Sequence, residues 1–373
     1  MAESTRLVDL VQQGLDSFLD EQGSALGAIA PELEQLTRQS RAFLAGGKRF
    51  RALFLYWGWQ ATAGLPHGFD PLPDETTSGD LAGIVLAACS LEVFHAAALV
   101  HDDIMDNSDT RRGVPAAHRQ FAELHQRNEW SGTPATYGGS AALLLGDLLL
   151  GWSDELFDRG TNQLASAAAG RAGRAEFTRM RTEVTAGQYL DILEENAWRS
   201  YPDADALARA HRVIVYKSAK YSIEAPLAIG AALGGGTLPQ LDALRSFGLP
   251  LGVAYQLRDD LLGVFGDPEI TGKPAGDDLR EGKRTVLVAL ARTRLPGHMR
   301  NLLDELIGDP DLDQEQVAML RTAPRDCGAV DEVERIIEHN VGLARRALVE
   351  APIAASAREE LLQLAGTVTR RNF

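Results

Sequence analysis

Residues 81–106 read LAGIVLAACSLEVFHAAALVHDDIMD. Up to Val100 the run is almost wholly apolar, interrupted by Ser90, Glu92 and His95. It then ends in His101-Asp102-Asp103-Ile104-Met105-Asp106. A periodic apolar run of this length reads as a core helix. Asp102 and Asp106 stand four apart and share one helical face, with Asp103 beside them. Like charges at that spacing destabilise a helix unless something neutralises them, and a cation would. Carboxylate oxygens suit Mg²⁺, which keeps several waters and is usually completed by substrate phosphates. The plain alternative is a solvated helix end carrying chance acids. The apolar helix leading in weighs against it, because it places the acids at the mouth of a core.

Working outward, the pattern stays helical. Residues 5–20 place Leu7, Leu10, Val11, Leu15, Phe18 and Leu19 at three- and four-residue spacings. Similar periods run through 81–105, 139–157, 172–195, 204–232, 240–265 and 329–349, and no convincing series of alternating strands occurs. Glycine and proline gather at 64–80, 131–139, 233–239, 266–276 and 308–312, which reads as loops. Segment 64–80 reads as a surface insertion, because helices of the same character flank it. The expectation is an all-α fold: one domain over 1–373, a helical bundle with its active groups turned into a central cavity.

A second acidic cluster, Gln256-Leu257-Arg258-Asp259-Asp260, closes another apolar helix, 247–262. Gln256 lies one turn before Asp260 on the same face. Two such helix ends would make carboxylate walls facing each other across the cavity. That arrangement clamps a polyphosphate through metal ions.

Composition sets a condition on this reading. With 37 basic and 52 acidic side chains the formal charge is −15, which argues against nucleic-acid binding and repels polyanions on average. Phosphate could bind only where cations cluster locally or where metal bridges it to carboxylate. Gly46-Gly47-Lys48-Arg49-Phe50-Arg51 offers one cluster at the start of a helix expected near residue 47, where free backbone N–H groups attract anions and Lys48 and Arg51 share a face. Arg111-Arg112-Gly113 follows the first acids, and guanidinium groups grip phosphate in a fork. Lys217-Ser218 falls within a helix, Lys273 in the loop Thr271-Gly272-Lys273-Pro274, and Lys283 after Gly282. Singly, each reads as a solvated surface charge; together they supply the missing positive field.

The two cysteines, Cys89 and Cys327, sit in no metal or disulfide pattern, so a reducing cytoplasm is expected. The N-terminus lacks a basic start followed by a long apolar run, so no signal peptide is expected. No stretch reaches ~18 uninterrupted apolar residues, so no transmembrane helix is expected.

These blocks resemble the trans-isoprenyl diphosphate synthase family, the polyprenyl synthetases that include farnesyl, geranylgeranyl and longer-chain synthases. The matches are GGKRFR at 46–51, LVHDDIMDNSDTRRG at 99–113, GQYLD at 187–191, KS at 217–218, YQLRDD at 255–260 and GKPAGDDLREGKRT at 272–285. The resemblance implies a type I isoprenoid synthase fold and the joining of isopentenyl diphosphate to an allylic diphosphate. It further implies about three Mg²⁺ per site, with Mn²⁺ able to substitute, and a homodimer. By resemblance, Asp102, Asp103 and Asp106 hold Mg²⁺ on the allylic diphosphate, and Asp259 and Asp260 hold metal from the opposite wall. Lys48, Arg51, His95 and Arg112 bind the diphosphate of isopentenyl diphosphate. Arg111, Lys217 and Lys273 bind the allylic diphosphate, with Ser218 and Lys283 nearby. Gln188, Asp191 and Gln256 orient metal-bound waters or phosphates.

The chain departs from the family pattern at three places. Where the second motif usually carries a third acid stands Gly263, with Asp267 one turn further as a substitute if the helix continues. Position 218 is Ser where many relatives have Thr. The C-terminus, Arg370-Arg371-Asn372-Phe373, lacks a closing lysine. In the family, bulky aromatics four and five positions before the first acid stop growth at farnesyl. Here Ala98 and Ala97 stand there, and the next bulky residue on that face is Phe94, about one turn or ~6 Å deeper. A product longer than farnesyl is expected, geranylgeranyl diphosphate first. Core packing is the alternative role for Phe94, as it is for His95. The rivals for the chain as a whole are a terpene cyclase, which has no use for GGKRFR, and a non-catalytic partner subunit, for which Gly263 is the one hint.

Overall fold

The structure is a computed structural model that describes residues 2–63, 79–111, 113–266 and 276–369. Its first helices in chain order are α1 (Ala2–Ile29), α2 (Glu34–Leu44), α3 (Phe50–Ala63) and α4 (Gly79–Met105), followed by a hairpin, β1 (Thr110–Arg111) and β2 (Val114–Pro115). Then come α5 (Ala117–Arg127), α6 (Pro134–Thr161), α7 (Ala167–Ala197), α8 (Ala206–Val213), a π-helical segment (Ile214–Glu224), α9 (Ala225–Leu233) and α10 (Leu238–Phe265). The rest are α11 (Asp277–Glu281), α12 (Val286–Arg294), α13 (Gly297–Leu306), α14 (Gln314–Asp326), α15 (Ala329–Val349) and α16 (Ala355–Thr369). The expected all-α class is what the chain adopts, and the two-residue hairpin is the strand pairing among the described residues. Of the expected loop 64–80, Gly79 and Asp80 already belong to α4 and the remainder lies outside the described residues.

The chain packs as two compact units. Unit 1 comprises Met1–Ala175, Pro226–Thr237 and Ala354–Ala357; unit 2 comprises Glu176–Ala225, Leu238–Ile353 and Arg358–Phe373. In unit 1, the α1 stripe is buried as its spacing requires: Leu7, Val11, Leu15, Phe18 and Leu19 are all core. α4 packs along α6, and paired glycines let their backbones meet; a Cβ at Gly83 would run into the Gly160 carbonyl, and one at Gly160 into Gly83. By length and mean hydropathy, 1.9 over its best window, Asp80–Met105 could cross a membrane, yet 72% of that window is buried inside the protein. It is a core helix.

The polar residue in the middle of that helix has a structural use. Glu92 is buried, and its carboxylate accepts a hydrogen bond from Arg49 Nη1 at 3.1 Å and one from the Ala52 backbone N–H at 3.3 Å. Arg49 is buried too, reaches Gln12 Oε1 at 2.7 Å and also donates to the Leu44 carbonyl. It does so from a left-handed backbone, φ 49°, which side chains other than glycine rarely adopt. Gly46 and Gly47 before it are left-handed as well, so α3 begins at Phe50 and not near 47.

Unit 2 is built on α10, against which α15 and the π-helical segment pack. Arg258 of the second acidic block faces α15, where Glu334 takes it in a two-pronged pair at 2.6 Å on each arm. The sequence pattern read 204–232 as plain helix. The structure interrupts it with a wider π-turn over Ile214–Glu224, and two glycines from flanking helices show why it fits. A Cβ at Gly187 on α7 would overlap the backbone of Tyr216 and Lys217, with Lys217 Cα at 2.7 Å. One at Gly252 on α10 would overlap Ala219, with its Cα also at 2.7 Å. The π-segment lies between two helices that touch it backbone to backbone. Such segments are frequent at functional sites.

Two outcomes follow. Glu92→Ala strands Arg49 in the core, and losing one partner of a buried pair costs about 3–5 kcal/mol, measurable by urea unfolding; a loss below ~1 kcal/mol would refute the structural role. Gly187→Ala forces a main-chain shift of the π-segment and should cost about 1–3 kcal/mol by the same assay.

Candidate active site

In unit 1 the acids occupy the last turn of α4. That turn is closed by a pair of main-chain bonds. Ser108 N–H donates to the Asp103 carbonyl at 3.0 Å and Asn107 N–H to the Ile104 carbonyl at 3.3 Å, with Asn107 left-handed at φ 52°. This is a Schellman ending with asparagine in the usual glycine place. It fixes where Asp102, Asp103 and Asp106 project. Phe94, Ala98 and Asp102 follow each other at steps of four, so they form one row down the helix. Phe94 and Ala97 are buried, whereas His95 and Ala98 are half-buried. His101 lies against α6, where its ring fills the space beside Gly146 and its Nε2 is 3.6 Å from Asp147.

The hairpin turns the chain back on the acids. Arg111 Nε donates to Asp103 Oδ1 at 2.8 Å, its Nη2 reaches the same oxygen, and Asp102 Oδ2 lies 3.4 Å away. Asp103 is fully buried and Asp102 half-buried. Arg111, expected to bind phosphate, here neutralises the acids it follows. Of the basic cluster at 46–51, Lys48 precedes α3, so it does not share a helical face with Arg51. It is exposed, 5.9 Å from the Phe50 ring, while Arg51 is half-buried on the first turn.

In unit 2 the second acidic block sits near the end of α10. Asp260 is buried, and the Gln256 amide donates to its Oδ1 at 2.8 Å, as the one-turn spacing anticipated. Burial pushes its carboxyl up to about 8; the charges of Asp278, Asp259 and Asp191 push the same way, and the Gln256 hydrogen bond opposes them. Across from it, Asp191 on α7 collects two lysines, with Lys217 Nζ at 2.5 Å and Lys283 Nζ at 3.3 Å. Lys283 also holds Glu195 at 2.6 Å. The structure thus brings Asp191, Lys217, Lys283, Gln256, Asp259 and Asp260 into one unit. Ser218 follows Lys217 in the π-segment, and Gln188 lies half-buried on α7. Glu195 and Asp278 were not singled out from the sequence. Glu195 follows Asp191 by four, which puts it on the same face, a signal that was available.

Arg112, Asp267, Lys273 and the C-terminal Arg370–Phe373 lie outside the described residues. A groove of about 670 Å³ in unit 2, lined by His211, Val215, Pro250, Asn340 and Arg346 among others, contains none of the expected site residues.

The acids fit a divalent cation by the chemistry of their donors. Each cluster offers only carboxylate oxygens, and in unit 2 burial first, then the neighbouring acids, favours the protonated form of Asp260, a cost that a cation would offset. Among the described residues no ready-made cage of three or more metal ligands exists. Mg²⁺ does not need one, since it is commonly held by one or two carboxylates with waters and substrate phosphates completing the shell.

Comparison with known proteins agrees with this donor chemistry. The polyprenyl synthetase family profile matches residues 33–323. The chain is 32% identical to a geranylfarnesyl diphosphate synthase of Aeropyrum pernix over 321 residues, 86% of this chain and 88% of that one. It is 31% identical over 280 residues to geranylgeranyl pyrophosphate synthase 3, chloroplastic, of Arabidopsis thaliana, 73% of this chain and 68% of that one. Among solved structures, a geranylgeranyl pyrophosphate synthase from Corynebacterium glutamicum, complexed with isoprenyl diphosphate and magnesium, superposes with a TM-score of 0.89 at 37% identity, covering 98% of this chain and 99% of that one. The chain belongs to the polyprenyl synthetase family.

Proposed function

We propose that this chain condenses isopentenyl diphosphate with an allylic diphosphate in a Mg²⁺-dependent reaction and releases a trans-prenyl diphosphate of about geranylgeranyl length. The observation that carries the reading is the pairing of acids and cations at the ends of two apolar helices. Asp102, Asp103 and Asp106 stand beside Arg111, and Asp259 and Asp260 share a unit with Lys217 and Lys283. The magnesium and isoprenyl diphosphate in the Corynebacterium structure support the same reading.

Mg²⁺, when bound, supplies charge that draws electrons from the allylic C–O bond. Asp102, Asp103 and Asp106 would hold it in unit 1, and Asp259 and Asp260 would hold it in unit 2. Arg111 is then relieved of its carboxylates and turns its fork to the allylic diphosphate. In unit 2, Lys217, Lys283 and Ser218 would bind allylic diphosphate, with Lys273 as a further cation, and Asp191 keeps the two amines in place. Lys48, Arg51, His95 and Arg112 bind isopentenyl diphosphate. Gln188 and Gln256 orient water and carboxylate. Once diphosphate leaves, the isopentenyl double bond attacks the allylic cation and a proton is lost to the departing diphosphate. The chain's own share is to position both substrates, to balance charge and to keep water out.

The row Phe94–Ala98–Asp102 sets product length, because the prenyl chain grows down α4 away from the acids and Phe94 is the first bulky side chain it meets. Exposed Leu143 and Leu144 on α6 suit a homodimer face, and the two free cysteines suit the cytoplasm. Mn²⁺ would serve where Mg²⁺ does.

The test is mass analysis of products from purified chain given isopentenyl diphosphate with each allylic primer. Activity should vanish on chelation and return with Mg²⁺. Lewis-acid help is worth several kcal/mol, so Asp102→Ala should lose roughly 10³-fold or more in kcat/KM. Undiminished turnover by that variant would contradict the assignment, and inactivity of the wild-type chain alone would favour the partner-subunit reading. Phe94→Ala should shift products to longer chains; an unchanged distribution clears Phe94 of that role.

A further inference from the structure

The end of α7 meets the link between α11 and α12 in register. Asp191, Glu195 and Trp198 follow one another at steps of four and three, so they share a face as α7 runs out into the turn Trp198–Ser200. Two consecutive residues of the link, Lys283 and Arg284, lie along that face. Lys283 Nζ takes the carboxylates, with Glu195 at 2.6 Å and Asp191 at 3.3 Å. Arg284 takes the ring, with its Cζ 4.0 Å from the Trp198 centroid.

Arg284 is the fixed point of the link. Its Nη1 donates to Asp304 Oδ1 at 3.3 Å and its Nη2 to the Ile307 carbonyl at 3.4 Å, so it ties the end of α7 to the end of α13. Main chain closes the link on both sides of it. Lys283 N–H donates to the Asp278 carbonyl at 3.0 Å, and the Thr285 hydroxyl caps α12 by accepting from Val288 N–H at 3.5 Å. Lys283 carries its charge on a flexible four-carbon stem, so the place of its amine depends on how firmly its backbone is held. We infer that Trp198 is a positioning residue for diphosphate binding: by holding Arg284 it keeps the neighbouring Lys283 amine beside Lys217 on Asp191.

A plain ion-pair role for Arg284 does not account for this arrangement. Arg292 already meets Asp304 in a two-pronged pair at 2.7 and 3.0 Å, closer than Arg284 does. The indole does account for it, since a planar guanidinium stacks on its face. The ring is also crowded with like charge, because Arg292 and Arg199 lie over it at 4.8 and 5.0 Å. Burial draws the proton affinity of Arg284 down to about 10; Asp304 opposes this, and Arg292 and Arg199 add to it. The stack holds Arg284 in place against that cost.

The inference rests on the diphosphate role proposed above for Lys283, and steady-state kinetics of the full chain separate the two. Trp198→Leu keeps apolar bulk and removes the aromatic face. It should lower kcat/KM for the allylic diphosphate about 10- to 100-fold and leave KM for isopentenyl diphosphate within about twofold of wild type. Trp198→Phe, which restores a flat ring, should recover to within about threefold of wild type. In a Lys283→Met background Trp198→Leu should add less than about twofold, because the two residues act as a unit. Affinity for inorganic pyrophosphate with Mg²⁺, titrated by calorimetry below the melting temperature of each variant, should fall in the same order. Wild-type kinetics in Trp198→Leu, equal losses for both substrates, no recovery in Trp198→Phe, or additive losses in the double variant each overturn the positioning role. They leave the diphosphate role of Lys283 standing. Wild-type kcat/KM in Lys283→Met overturns that role and the inference with it.

Discussion

Carboxylates brought together out of water repel one another, and much of this protein is arranged around that cost. In unit 2, Asp191, Asp259 and Asp278 all raise the proton affinity of buried Asp260. In unit 1, buried Asp103 shares Arg111 with Asp102. Neither cluster would persist on a helix end without cations to answer it. Arg111, Lys217 and Lys283 are those cations in the protein alone, and in the proposed reaction they are also the groups that would bind diphosphate. On that proposal metal and phosphate binding would be one exchange: the carboxylates would hold the metal, and the basic side chains would be left for phosphate. A protein of net charge −15 can handle polyanionic substrates because its local fields run against its mean field.

Rigid backbone makes that exchange repeatable. Asn107 ends α4 in a left-handed cap, so the three acids of the first block leave the helix at fixed angles. The π-segment places Lys217 where Asp191 can reach it, and Gly187 and Gly252 allow the close packing that holds the segment. Arg49, in a conformation that arginine seldom adopts, ties the loop before α3 to Glu92 in the middle of α4. The basic cluster at 46–51 is therefore divided: Arg49 is structural, Lys48 is exposed and Arg51 is half-buried.

Most of the helices were legible from period alone, because apolar stripes such as Leu7, Val11, Leu15 and Leu19 have one way to be buried. The acidic blocks were legible because like charges at helical spacing demand an explanation. Three features were not. Positive φ at Arg49 has no sequence signature, since arginine there looks like any other basic residue. The π-segment depends on glycines 27 residues or more away, as Gly187 and Ile214 are numbered, and arises from tertiary contact rather than local preference. The use of Trp198 was hidden because Arg284 and Arg292 are distant from it in the chain, and only packing brings them to the end of α7.

The central claim is that bound metal takes the carboxylates of an acidic block and leaves its basic side chain, here Arg111, for phosphate. A crystal structure of the chain with Mg²⁺ and inorganic pyrophosphate tests it most directly. The account predicts metal and pyrophosphate density at Asp102 and Asp106, with Arg111 turned from Asp103 to phosphate. Pyrophosphate and metal bound with Arg111 still on Asp103 would contradict it.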